Sequence, residues 1–395
     1  MNRRNFLQAS TLASTAMLTP AFLKSMARAY TTASRSGKIL VVLQLSGGND
    51  GLNTIVPYGN DAYYRQRPTL GIPTEQVIRL NDEQGLHPAL APLQPLYDQG
   101  ELSIINSVGY PNPDRSHFRS MDIWQTGSPA NENWSSGWIG RYLDTSCAGK
   151  PAYHALEVDD GLSLAMKGKV RNGFAMTDAN RLRRAVNSPH LQKLKTAGTD
   201  QGGNLGYLYK TLTETTDAAG YLFEQSKVHR ATAGYPKGSF GKDLKQISEL
   251  ITADTATQIY YASLGGFDTH AGQKNRQQRL LSQYAEGVSA LVTDLKANGL
   301  FNDVLIMTFS EFGRRLAQNG SGGTDHGTAN NLLLMGGNLR KAGFYNDTPD
   351  LTNLKDDDLI HQVDFRQVYA NVIDGWLQGD STTVLGRRFG EMGIF

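Results

Sequence analysis

One unit narrows what this chain can fold into more than any other. An apolar run at residues 258–264 is followed by an amphipathic stretch at 280–298 and a second apolar run at 304–309. The middle stretch places Leu280, Leu281, Tyr284, Val288, Leu291 and Leu295 on one helical face. The outer runs are continuous rather than alternating, the pattern of strands buried on both faces. Strand, helix, strand in that order predicts a parallel crossover. Similar runs at 39–45, 102–108 and 331–335, bounded by Gly, Asn or Asp, repeat the theme and predict an α/β sandwich. Residues 181–256 depart from it, with helical patterns at 205–225 and 242–253, and read as a mostly helical insertion. No Pro/Ser-rich linker or internal repeat marks a boundary, so 37–395 is predicted to be one large domain.

The first 29 residues read differently. A twin arginine, Arg3-Arg4, precedes Phe6-Leu7 and a weakly apolar stretch broken by hydroxyls and Pro20, which predicts a Tat-type export signal over 1–29. Ala27 and Ala29 place cleavage before Tyr30. The stretch is too short and polar to span a bilayer, so the expected location is periplasmic or secreted, with the Tat translocase as an export partner and no stable membrane insertion. This segment also explains the net charge of +2. Four of the 39 basic residues and no acid lie in it, leaving 35 against 37. A body so balanced lacks the basic excess that nucleic-acid binding needs. The single cysteine, Cys147, excludes an internal disulfide and is expected to be a small buried side chain.

Open α/β sheets bind ligands at the carboxyl ends of their strands. Here each such end carries glycines and unusual polar residues. Asp50 follows the first run, Asp268 and His270 follow 258–264, Glu311 follows 304–309, and Asp325-His326 lies in the next loop. Mixed carboxylate and imidazole ligands suit Zn²⁺, Mn²⁺ or Mg²⁺, one or two ions. Each residue also has a plain alternative: Asp50 as a helix cap, His270 as a buried hydrogen-bonded histidine, Glu311 as a partner of Arg314, Asp325 as a turn residue. After 102–108 a helix is predicted to begin near Ser116. There the Ser116 hydroxyl is a candidate nucleophile and Arg119 a candidate oxyanion holder, with helix capping as the alternative. Asp356–Asp358 read as a solvated acidic run. The chain contains no His-Glu-x-x-His helix, Gly-x-Ser-x-Gly elbow or P-loop.

The segments LSGGNDGLN, SLGGFDTHAGQ, TFSEFGRR, GTDHG and DFRQVYANVIDGWL resemble the DUF1501 family of Tat-exported proteins, over a span from about residue 37 to the C-terminus. That resemblance implies an alkaline-phosphatase-like three-layer sandwich with a divalent metal site acting on phosphate or sulfate esters. It implies metal roles for Asp50, Asp268, His270, Glu311 and His326, with Asp325 beside the last, and a nucleophile role for Ser116. The sequence departs from that pattern in having Glu311 where Asp is usual, with no histidine after it, and in having no Cys-x-Pro-x-Arg sulfatase sequence. The expected function is an exported metal-dependent hydrolase of a small-molecule or glycan ester. The alternative is a non-catalytic protein of the same fold that binds metal or carbohydrate, with Trp124, Trp134 and Trp138 as a sugar-stacking patch.

Overall fold

The run 39–45 forms a strand, and its surroundings explain the rest. A computed structural model describes residues 37–189, 191 and 203–395. The export signal at 1–29, and 190 and 192–202 of the expected insertion, lie outside the described residues. Nine strands build the main sheet: β1 Ile39–Ser46, β2 Leu102–Gly109, β3 Ala155–Glu157, β4 Phe174–Ala175, β5 Ile259–Gly265, β6 Val304–Phe309, β9 Asn330–Met335, β10 Gly343–Phe344 and β11 Val363–Asp364. A hairpin, β7 Arg314–Gln318 and β8 Thr324–His326, stands between β6 and β9. The order across the sheet is β10-β2-β9-β6-β1-β5-β3-β4, with β11 also paired to β2. β1 is central, parallel to β5 in the register Leu40↔Ile259 and to β6 in the register Val41↔Ile306. The predicted crossover therefore carries the chain over β1.

Both faces of β1 are covered, which is why its sequence does not alternate. Val41, Leu43 and Leu45 join one apolar cluster with Leu281, Tyr284 and Val288, while Leu40 and Val42 join another with Trp124, Trp138 and Tyr369. On the second face lie α1 (His117–Thr126) and α2 (Trp138–Ser146). On the first lie α5 (Ser239–Thr252) and α6 (Gln273–Ala297), with Ala218 and Leu222 of α4 (Gly203–Gln225) against them. α3 (Ala179–Val186) precedes these. The result is a three-layer α/β sandwich with a largely parallel sheet. Leu244, Ile247 and Leu250 of α5 are fully buried beside α6, so the end of the expected insertion is part of a main layer.

Within a sheet that is mostly parallel, one strand reverses, and several other features depart from the sequence reading. β9 runs antiparallel to both neighbours, because the β7–β8 hairpin returns the chain at the end of the sheet it left, where a helical crossover would have kept it parallel. α6 starts at Gln273, ahead of the apolar face, because Gln273 and Gln277 (i, i+4) are buried and bonded to one another. Asp358 is not solvated: it is 1% exposed and paired with Arg115. Trp124 stacks between Phe309 and Phe365, and Trp138 stacks on Tyr369. Both are 1% exposed, which removes them from any sugar platform, while Trp134 carries the Arg141 guanidinium on its ring. No helix among the described residues is long and apolar enough to cross a membrane.

Glu157, at the end of β3, is 4% exposed and accepts a bond from Ser163 N at 2.7 Å. Burial pushes its carboxyl up from 4.5 to about 7. The folded state thus holds this proton more tightly than the unfolded one, so the associated stability is full below about pH 4.5 and is lost as pH rises through about 7. Glu157→Gln removes the titration while keeping the acceptor. Its melting temperature relative to wild type should climb across that window and level off above it, and parallel pH slopes in the two proteins would contradict this.

Candidate metal centre

Three parallel strands end side by side, and their loops meet because Gly47 lets them. Its φ is +117°, and a Cβ there would lie 2.4 Å from Asp268 N. The loop after β1 thereby rests directly on the loop after β5. Glu311, following β6 and fully buried, receives Gly47 N at 2.8 Å. Arg314, the first residue of β7 and 1% exposed, binds these loops into one piece. Its Nε donates to Gly48 O (2.6 Å), Nη1 to Thr324 O (2.9 Å), and Nη2 to Gly47 O (2.6 Å), Phe267 O (3.0 Å) and Asp268 Oδ1 (2.8 Å).

Onto this base the fold brings three imidazoles, from three separate positions. His117 opens α1 after β2, His270 follows β5, and His326 ends β8. Each is fixed through Nδ1: His117 by Glu311 Oε1 (2.9 Å), His270 by Asp325 Oδ1 (3.3 Å), His326 by donation to Arg115 O (2.8 Å). Each Nε2 then faces Asp268 Oδ1, at 3.5, 3.1 and 3.2 Å respectively, and the Nε2 atoms of His270 and His326 are 2.9 Å apart. Phe312 packs at 4.8 Å from the His117 ring and 4.7 Å from the His326 ring, an apolar wall beside the centre.

This donor geometry fits a cation. A carbonyl only accepts, so His326 carries its proton on Nδ1, and its Nε2 lone pair points at a carboxylate oxygen and another imidazole nitrogen. His117 Nε2 is buried with no hydrogen-bond partner. Lone pairs and a carboxylate aimed at one another repel unless protons or a cation lie between them. Burial lowers the His326 pKa, which favours its neutral, ligating form. The bond to Glu311 raises that of His117. Asp268 stays ionised: burial alone would raise its pKa, but the bond from the Arg314 guanidinium and its charge hold it well below the usual carboxylate range. The ligand atoms of His117, Asp268 and His326 all lie within 4.8 Å of one another. With His270 they form a three-imidazole, one-carboxylate set, each imidazole backed by an acceptor as metal-bound histidines are. Such a set suits Zn²⁺ or Mn²⁺ better than Mg²⁺. With Asp268 and His270 each 46% exposed, the centre is open to solvent.

Of the residues expected as ligands, Asp268, His270 and His326 stand at this centre. Glu311 and Asp325 stand behind it, each orienting a histidine. Asp50 is elsewhere: it is 1% exposed, with Oδ2 held by Arg67 Nη1 (2.6 Å) and Gln273 Nε2 (2.5 Å). The buried Arg67 guanidinium is paired with the Asp50 carboxylate. Ser116 is exposed and precedes α1 without making a side-chain cap bond. Arg119 cannot face the centre, because residues two apart on a helix lie on different sides. It ties down the loop after α1 through Asn133 Oδ1 (2.6 Å) and Ala130 O (2.9 Å). His117 was missed in the sequence, where Ser116 drew attention, although it follows a strand just as His270 does.

A family model described as a protein of unknown function (DUF1501) matches residues 101–374. No curated protein matches the chain. Similar solved structures include a lipoteichoic acid synthase from Listeria monocytogenes (11% identity, 91% of this chain and 74% of that chain, TM-score 0.36). Others are a sulfatase from Pseudoalteromonas sp. (12%, 90% and 69%, 0.37) and a phosphonate monoester hydrolase from Silicibacter pomeroyi (11%, 90% and 78%, 0.35). No residue role follows from likenesses this distant.

Arg314→Met leaves carbonyls of Gly47, Gly48, Phe267 and Thr324 without their donor. Each buried, unsatisfied group costs about 1–3 kcal/mol. The variant should lose about 3 kcal/mol or more in urea unfolding, and a loss below about 1 kcal/mol would show that the loops hold without it.

Proposed function

The chain belongs to the DUF1501 family, and from that premise we propose that it is an exported, metal-dependent hydrolase of phosphate or sulfate esters. The observation that carries the reading is the convergence of three imidazole Nε2 atoms on Asp268 Oδ1 at an open rim of the sheet. The ester class rests on the alkaline-phosphatase-like character that the family resemblance implies. Export rests on the twin-arginine segment.

His117, His270, His326 and Asp268 would hold the ion. When bound, a divalent cation supplies Lewis-acid polarisation of the ester and lowers the pKa of water at the site. The chain's residues do the rest. Glu311 and Asp325 fix ring orientation and tautomer, and Arg314 holds Asp268 ionised and in place. Phe312 keeps one side of the centre dry. The guanidinium of Arg314 is fully engaged with protein acceptors, and those of Arg119 and Arg115 are turned to Asn133 and Asp358. Ser116 is the protein's own candidate nucleophile, with water as the other.

In this reading wild-type protein binds one equivalent of Zn²⁺ or Mn²⁺. His117→Ala and His326→Ala each weaken binding at least about 100-fold and abolish phosphomonoesterase, phosphodiesterase and sulfatase turnover, as elemental analysis and a chromogenic ester panel would record. Ser116→Ala separates the nucleophiles: lost turnover with metal retained assigns the serine, and unchanged turnover assigns water. Metal bound with no turnover on any ester would favour the non-catalytic alternative. Occupancy should fall on acidification, beginning at a higher pH than an ordinary imidazole would require, since the bond to Glu311 raises the His117 pKa and its proton competes with the metal. An occupancy independent of pH between about 8 and about 5 would remove His117 from the ligand set.

A further inference from the structure

Asp50 and Gln273 lie outside the centre, yet their bonds lead into it. Gln273 opens α6 and is fully buried. Its Oε1 accepts from Thr324 Oγ1 at 2.6 Å and from Thr269 Oγ1 at 3.1 Å. Thr269 sits between the ligands Asp268 and His270, and Thr324 two residues before the ligand His326. One carboxamide oxygen therefore clasps both ligand-bearing segments from the side-chain side, beside the backbone bonds Thr324 N to Thr269 O (3.3 Å), Gln273 N to Gly322 O (2.9 Å) and Gly272 N to Ser321 O (3.3 Å) that join the two loops. The other end of the amide is equally constrained: Nε2 donates to Asp50 Oδ2, and that oxygen is fixed by the buried Arg67 guanidinium. Only an amide presents an acceptor to two hydroxyls and a donor to a carboxylate at once. A carboxylate at 273 would face Asp50 as a like charge, and an apolar side chain would leave both hydroxyls and Asp50 short of a partner.

We infer that Gln273, oriented by the Asp50–Arg67 pair, is a positioning residue that sets the separation of the two ligand-bearing segments and thereby the affinity for the ion. This deepens the metal-centre reading above and rests on it. The carboxylate of Asp50 thus acts on the centre at one remove, through the amide. The arrangement also explains why a fully buried ion pair is kept beside an open site: the pair fixes the direction in which the amide points, and the amide fixes the loops.

The test is Zn²⁺ affinity of the whole protein, measured by competition with a chromogenic chelator. Gln273→Met and the double variant Thr269→Val/Thr324→Val should each weaken binding by about ten- to a hundred-fold, as loss of a bond that orients ligands does. Combining all three changes should add little, because both break the same clasp. Leu250→Ala, in the core away from the site, lowers the melting temperature and should leave Zn²⁺ affinity unchanged, separating positioning from general loss of stability. Wild-type affinity in Gln273→Met would overturn the inference while leaving the metal centre intact. A wild-type protein that binds no Zn²⁺ would overturn the metal reading and the inference together. Should Gln273→Met fail to fold, Thr324→Val alone carries the comparison, with unchanged affinity counting against the clasp.

Discussion

Everything at the rim of the sheet depends on one buried guanidinium. Parallel strands deliver their loops to a common edge but do not fix them there, since the loops' carbonyls leave the ladder at that point. Arg314 answers that need by donating to carbonyls after β1, before Asp268 and within β8, and then to the Asp268 carboxylate itself. A lysine offers three donors on a flexible stem, and could not hold five acceptors in a plane. The same residue that closes the loops therefore sets the position and charge of the one carboxylate at the centre.

Much of the scaffold is legible in the sequence, because continuous apolar runs are what strands buried on both faces require. The strand ends of β1, β2, β5, β6 and β9 follow those runs to within a residue. Direction is another matter. The run that becomes β9 carries no mark of its orientation, which is decided by the hairpin before it. The beginning of α6 was hidden for a related reason, since its first turns bury glutamines in place of apolar residues.

The site was legible by residue type and illegible by partner. Asp268, His270 and His326 are chemically suited to a metal and stand together. Asp50 is equally suited, but Arg67, seventeen positions on in the sequence at the end of a short helix, takes its charge, and no local pattern announces that pairing. His117 was concealed by its neighbours: Ser116 fits a helix start better by propensity, while the first residue of the helix points its ring at Glu311, 194 residues away. Trp124 and Trp138 fail as a surface patch because the second face of the sheet needs bulk, and Phe309, Phe365 and Tyr369 enclose them there.

The four residues at the centre come from after β2, after β5 and from the β7–β8 hairpin, so no local segment contains more than two of them. Assembling them requires β1 to be flanked by β5 and β6, pairings that join residues as far apart in the chain as Leu40 and Ile259 or Val41 and Ile306. A metal held by this set of residues would therefore be captured only once those pairings exist. A partly folded chain would offer an ion only scattered donors, and an ion bound at the centre would stabilise the finished sheet rather than its precursors. Under the proposed reading, metal content would therefore record completed topology, and a chain lacking metal through misassembly would be distinguishable from one lacking a ligand by whether β1 has found both its neighbours.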